Sequence, residues 1–189
     1  HAGVRYDHYT TFGGDWNPRL SVVFSPTERT AVKLLYGGAF RAPSPYELYY
    51  HDGFATQKPN PELGPESVTS YEAVLEHRLG RTVGLTVSAF VMTLDDIIGL
   101  CTDPLDSLLV YGNMGEAESR GVEVELERRA ARGWRGRVSY SYQDARDLST
   151  DERLTGSPRH LAKLHVSAPL AGEGLLGALE VQYVGDRPT

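Results

Sequence analysis

Cysteine is nearly absent. Cys101 is the only one among 189 residues, so no internal disulfide can form, and no Cys/His cluster has the spacing of zinc ligands. Long apolar runs are missing too. The longest, such as Leu108-Leu109-Val110-Tyr111, cover about four residues where a membrane-crossing helix needs roughly twenty. Charge of one sign is not in large excess: 19 Lys and Arg face 25 Asp and Glu, for a net charge of -6. No Lys/Arg-rich run is present to condense on a phosphate backbone, which argues against nucleic acid as a partner. The opening "HAGVRYDHYT" lacks the basic and apolar regions of a signal peptide. It already alternates like a strand under way, so the chain is expected to be a piece of a longer one.

What is present is alternation. In "GVEVELE" (121–127) Val122, Val124 and Leu126 oppose Glu123, Glu125 and Glu127; in "WRGRVSYSYQ" (134–143) Trp134, Val138, Tyr140 and Tyr142 share one face. Val83, Leu85, Val87, Ala89 and Val91 form another apolar row, although the polar row opposite fails at Phe90 and Met92. The pattern predicts about nine strands, near 2–9, 18–25, 30–41, 67–79, 82–95, 109–128, 134–146, 159–168 and 175–185. Several exceed ten residues, against a usual strand of about 5–6.

The connections sort into two kinds. "SPTERT" (25–30), "LGRT" (79–82), "RAARGW" (129–134) and "PLAGEG" (169–174) are tight, while 41–66, 96–108 and 147–158 are long and polar and "TTFGGDWN" is of modest length. Short and long connections therefore fall at opposite ends of one sheet, as the periplasmic turns and extracellular loops of an outer-membrane barrel do. A secreted soluble all-β binding domain also alternates apolar and polar residues; strand length and the asymmetry of the two ends favour the barrel. The fold class expected is all-β, an antiparallel transmembrane β-barrel segment.

Particular phrases add to the pattern. "GAFRAPSPYELYY" (38–50), "NPELGPESVTSYEAVLEHRLG" (60–80), "YGNMGEAESRGVEVELE" (111–127), "SPRHLAKLHVS", "QYVGDRPT" and the opening "VRYDHYTTFGGDWNPRLSVVFSP" resemble, in the same order, motifs of TonB-dependent outer-membrane receptors. The resemblance covers nearly the whole chain. It implies a barrel of about 22 strands closed by a plug domain, a size known for plugged outer-membrane transporters. Residues 1–189 are then a partial barrel domain, about strands 11 to 19, with no plug domain present. It further implies energy-coupled uptake of a scarce solute such as a ferric siderophore or cobalamin in the outer membrane of a Gram-negative-type bacterium. The implied partners are outer-membrane lipid, a small-molecule ligand such as a metal chelate, and the TonB energy-coupling complex through the missing plug. A nine-strand piece cannot close by itself, and in isolation is expected to aggregate without detergent.

Candidate site residues follow from position. Pro43 and Pro45 withdraw backbone donors where pairing should end, and "YELYY" opens a loop of about 25 residues, long enough to be functional. Arg41, Tyr46, Tyr49, Tyr50 and His51 are the candidate ligand-binding residues, because loops on a rigid scaffold carry recognition and aromatic rings grip planar or apolar ligands. Mutual packing within the loop is the alternative for the tyrosines. Tyr36, Phe40, Tyr140, Tyr142 and Tyr183 are expected in an interfacial aromatic girdle. The row Glu123, Glu125, Glu127 reads as lumen charge, pairing Glu127 with Arg135 and Glu125 with Arg137 and placing Val124 opposite Val138, rather than as a cation site. Asp103, Asp106, Asp147, Asp151 and Glu152 read as solvated loop charge, lacking a regular calcium-ligand pattern. No cofactor, metal site or catalytic residue is expected: G-x-S-x-G, H-E-x-x-H and Gly-rich phosphate loops are absent. A barrel-embedded hydrolase, whose triad sequence order does not reveal, is the enzymatic alternative.

Overall fold

Alternation at period two leaves each strand with one apolar row, and the chain pairs these rows in a meander. The structure, a computed structural model, describes residues 1–130, 133–171 and 174–188. Two residues in each of the expected turns 129–134 and 169–174, and the last residue of "QYVGDRPT", lie outside the described ones. The strands are β1 (Ala2–Tyr9), β2 (Gly13–Thr27), β3 (Thr30–Arg41), β4 (Glu66–Leu79), β5 (Val83–Thr102), β6 (Leu109–Arg128), β7 (Arg135–Asp147), β8 (His160–Ala171) and β9 (Leu175–Val184), with one short helix, α1 (Pro45–Tyr49). All nine strands form a single sheet whose spatial order is the chain order, and every pair is antiparallel.

Register carries the apolar rows onto one face. Val22 opposes Leu34, Leu34 opposes Ala73, Ala73 opposes Ala89 and Ala89 opposes Val122. Further on, Val124 opposes Tyr140, Leu126 opposes Val138, and Val138 opposes Leu164, itself facing Val181. Among the described residues no protein lies over this face: Val22, Phe24, Leu34, Tyr71 and Leu179 are each more than half exposed. The apolar side chains that are buried, Leu48, Leu63, Ala117, Ala130 and Ala145, sit outside these rows. An apolar wall left uncovered on that scale in a well-ordered sheet is satisfied by lipid rather than by a core.

The opposite face is charged. Lys33 Nζ lies 2.5 Å from Glu76 Oε1, and Arg137 reaches Glu127 at 3.0 Å and Glu125 at 3.6 Å. The expected pairing across β6 and β7 is off by two residues, since Glu127 opposes Arg137, Glu125 opposes Ser139 and Val124 opposes Tyr140. A slip of two keeps both faces intact, so alternation is blind to it and turn geometry decides. Phe90, where the polar row broke down, lies over Gly121. A Cβ there would come within 2.4 Å of the Tyr142 carbonyl and 2.8 Å of the Phe90 ring, so only glycine fits.

The aromatic girdle takes shape on the apolar face. Tyr36 stacks near Tyr71 with centroids 5.1 Å apart, Tyr6 near Trp16 at 4.6 Å, and Tyr142 near His160 at 5.3 Å. Tyr140 hydroxyl is 2.7 Å from His160 Nδ1, and Tyr183 is 61% exposed. Phe40 instead packs edge-on against Tyr9 and Phe12 above that level. At the short-turn end Trp134 lies beneath the Arg128 guanidinium, 4.3 Å from its ring, and Gly80 turns "LGRT" with φ +74°.

The long-loop end departs most from expectation. β2 begins at Gly13, not near 18, which shrinks the first connection to residues 10–12. Most of the expected 96–108 loop is strand: β5 passes a bulge at Asp96 (φ 56°) and continues to Thr102, while β6 descends from Leu109. The result is a tall hairpin above the rest of the sheet.

Candidate functional site

The 42–65 segment carries two prolines near its start, Pro43 and Pro45, and Pro45 opens α1. Proline at the first helical position has its φ preset and loses a donor that would have no partner anyway. Ser44 is the N-cap: its Oγ accepts from Glu47 N at 3.3 Å, and its own N donates to Glu47 Oε2 at 2.7 Å, a complete capping box. Arg41 holds the same glutamate from below. Its guanidinium donates to Glu47 at 3.1–3.2 Å and forks onto Glu66 at 2.6 and 2.8 Å, while Glu66 Oε1 also accepts from Ile98 N at 2.7 Å. One cation thus ties the end of β3, the start of β4, the helix and the foot of the tall hairpin.

After α1 the segment runs up against that hairpin as a strap. Asp52 accepts from the backbone N–H groups of Ala55, Thr56 and Gln57 and from Thr56 Oγ1. Leu109 N donates to Thr56 O at 2.8 Å and Lys58 N to Leu109 O at 2.9 Å, a short parallel bridge. Lys58 Nζ then reaches Asp103 at 2.5 Å and Asp106 at 2.8 Å in the hairpin tip. Asn60 Nδ2 donates to Tyr111 O at 2.8 Å, and Asn113 both accepts from Gly64 N and donates to Gly64 O. Leu48 and Leu63 bury beneath the strap, 4% and 2% exposed.

Of the five candidate residues, two come together. The Tyr46 and Tyr50 rings stack at 4.4 Å and 23°, with Tyr111 edge-on to Tyr46 at 6.2 Å. The two tyrosines pack on each other, and Tyr46 stays 52% and Tyr50 39% exposed. Tyr49 is 53% exposed. His51 stacks on Phe54 at 5.2 Å, away from the tyrosine pair, and its Nδ1 accepts from Gly53 N. Arg41 is engaged by the two carboxylates. Tyr111, Phe54, Glu47 and Lys58 were not singled out in the sequence; Lys58 and its partners are separated by 45 and 48 residues, and no local signal joins them. Asp103 and Asp106 are strap anchors rather than solvated charge, and Asp151 pairs with Arg146 at 3.0 Å.

The strap has a pH dependence. Arg41 beside it holds the Glu47 carboxyl below the ordinary range, Thr56 and the adjacent amides do so for Asp52, and Lys58 does so for Asp103 and Asp106. Asp103 in turn raises the Lys58 ammonium. Depressed carboxylates stabilise above their unfolded pKa and lose that as pH falls through the folded value; a raised ammonium stabilises below its unfolded pKa and loses that as pH rises. The strap is therefore closed between about pH 5 and 10 and loosens below about pH 4. Hydrogen exchange, corrected for intrinsic rates, should show the Lys58 and Leu109 amides protected at neutral pH and unprotected in acid. Equal protection at both would refute the latch.

Nine long antiparallel strands, an uncovered apolar wall with an aromatic band, a charged inner face and long structured loops at one end define the wall of a transmembrane β-barrel. A family model described as TonB dependent receptor-like, beta-barrel, matches residues 1–189, and the chain belongs to that family, whose members lie in the Gram-negative outer membrane. The vitamin B12 transporter BtuB of Photobacterium profundum is 28% identical over 173 residues, 88% of this chain and 27% of its own length. The ferric enterobactin receptor of Pseudomonas aeruginosa is 23% identical, over 99% of this chain and 30% of its own. A crystal structure of a point mutant of that receptor, PfeA, in complex with enterobactin superimposes with a TM-score of 0.82 at 21% identity, covering 100% of this chain and 32% of that one. The siderophore receptor PirA of Acinetobacter baumannii gives 0.75 at 18%, covering 97% and 30%. The chain thus spans about 30% of the length of these relatives.

Proposed function

We propose that this wall belongs to a plugged receptor of about 22 strands, in which it supplies about strands 11 to 19, and that the receptor captures a scarce metal chelate or corrin and passes it inward. Relatives named as a vitamin B12 transporter and a ferric enterobactin receptor support that ligand class. Energy would come from the TonB complex acting on the plug, and no residue of this wall does covalent chemistry; the protein is a receptor, not an enzyme. The observation that carries the reading is the Tyr46–Tyr50 stack, with Tyr111 edge-on, held half exposed by a rigid strap at the extracellular end. Stacked rings with a free face suit a planar aromatic or conjugated ligand, and the strap removes the ordering cost that a mobile loop would add.

In the intact receptor, replacing Tyr46 and Tyr50 together by alanine should weaken binding of the cognate chelate about tenfold or more. The check is intrinsic fluorescence quenching by a panel of ferric catecholates, ferric hydroxamates and cyanocobalamin. If one of these binds the wild type and binds the double variant equally well, the tyrosine surface is not the site.

A further inference from the structure

Charge is sorted along the strands. Three stretches at the short-turn end, 25–30, 78–82 and 127–137, hold eight arginines and two glutamates, while 95–108 and 144–153 at the long-loop end hold eight carboxylates and two arginines. The turns are stitched to one another. Arg78 N donates to Arg29 O at 2.8 Å, Arg129 N donates to Thr82 O at 2.8 Å, and the Arg78 guanidinium donates to the Glu28 carbonyl. Arg135 Nε donates to Ala130 O at 3.1 Å, and Arg128 lies on the Trp134 ring. A carbonyl or a ring holds a guanidinium in place but cancels none of its charge. Glu127 is shared by Arg129 at 2.5 Å and Arg137 at 3.0 Å, while Arg29 and Arg81 are exposed and make no ion pair among the described residues. Two cavities adjoin along this rim, about 600 Å3 beside Arg29, Arg81 and Arg129 and about 940 Å3 beside Arg129, Arg135 and Arg137. Arg129 lines both, so the cations form one belt, and charges of one sign along a cleft reinforce each other's field.

We propose that this belt docks an acidic, extended segment of a separate periplasmic protein. The short turns of an outer-membrane barrel face the periplasm, so such a partner reaches Arg29 and Arg81 without entering the lumen. Arg137 opposes Glu127 on the charged face, away from the apolar row, which turns the larger cavity away from lipid headgroups. From Arg29 to Arg135 the belt crosses four strand spacings, about 19 Å at about 4.8 Å each, the length of about six extended residues. A small anion would occupy only a fraction of that span. A segment with carboxylates at alternate positions presents one about every 7 Å along one side, and guanidiniums already fixed by the turns accept them with little ordering cost. The docking rests on the orientation of the wall and not on what the loops capture.

The test is fluorescence anisotropy of the intact receptor in detergent, with a labelled eight-residue peptide of alternating Glu and Ser as the probe and its Gln counterpart as the control. The acidic peptide should bind at least about tenfold more tightly, and its binding should weaken as salt rises from about 50 to about 300 mM. Arg29→Gln with Arg81→Gln should weaken it about fivefold, the scale of two exposed charge pairs, and lysine at both positions should restore most of it. A photo-crosslinking form of the peptide should label 25–30 and 78–82, with heat-modifiable gel mobility reporting that the barrel is folded. Equal binding of the two peptides, undiminished binding by the folded double variant, or labels confined to the long-loop end overturns the docking. Absence of binding to the intact receptor, as when the receptor's own plug fills the belt, overturns it as well. Chelate binding measured on the same samples is expected to be unchanged, so failure here is distinct from failure of the receptor reading.

Discussion

Leu126→Arg should be among the most damaging single substitutions in the sheet, lowering the folding stability of the barrel by about 2–4 kcal/mol. Leu126 lies on the lipid-facing row between Leu85 and Val138, midway between Trp134 at one end and the Tyr142 level at the other. A guanidinium there is too deep to reach either interface without distorting the bilayer. Its neighbour Glu125 points to the opposite, wet face, where Arg137 is 3.6 Å away. That exposed contact contributes little, and Glu125→Gln should change stability by about 0.5 kcal/mol or less. Urea unfolding of the intact barrel in phospholipid vesicles compares the two. Equal losses for adjacent residues would mean that the two faces are wrongly assigned.

Arg41→Ala should open the extracellular strap while leaving the membrane wall folded. Glu47 and Glu66 side chains are only 15% and 18% exposed, and truncation strands two carboxylates that share one guanidinium. Leaving such groups unsatisfied costs about 1–3 kcal/mol, more than one turn of helix provides from its own hydrogen bonds. The expected readout is faster proteolysis within 42–65 and weaker chelate binding, with unchanged heat-modifiable mobility. Lysine should rescue poorly, because a single ammonium cannot fork onto Glu66 and reach Glu47 together. A strap that stays protease-resistant in Arg41→Ala would show that Lys58 and the asparagine contacts suffice.

The two substitutions separate what local pattern reveals from what it conceals. The face of Leu126 and of its row-mate Val124 is legible because alternation has period two and needs no partner to be read. The partner of Val124 is not: Val138 and Tyr140 satisfy the same alternation, and the register that selects Tyr140 depends on how the 129–134 turn closes. Likewise Arg41 was noticed for its place at a strand end, whereas its bond to Glu66 spans 25 residues. The helix was concealed by its own capping box, since Pro43 and Pro45 read as breakers until Ser44 and Glu47 are seen to act as a pair. The tall β5–β6 hairpin was concealed by Asp95 and Asp96, which look like a loop start but mark a bulge within a continuing strand.

By itself, then, the sequence determined the all-β class, the two faces of the wall, the sorting of short turns from long loops, and the family, because each of these rests on local periodicity or on contiguous motifs. Tertiary structure alone decided the cross-strand register and the strap that raises Tyr46 and Tyr50 beside Tyr111. Those depend on contacts between residues far apart in the chain, and such pairings are selected by the packing of the whole sheet rather than by any one strand.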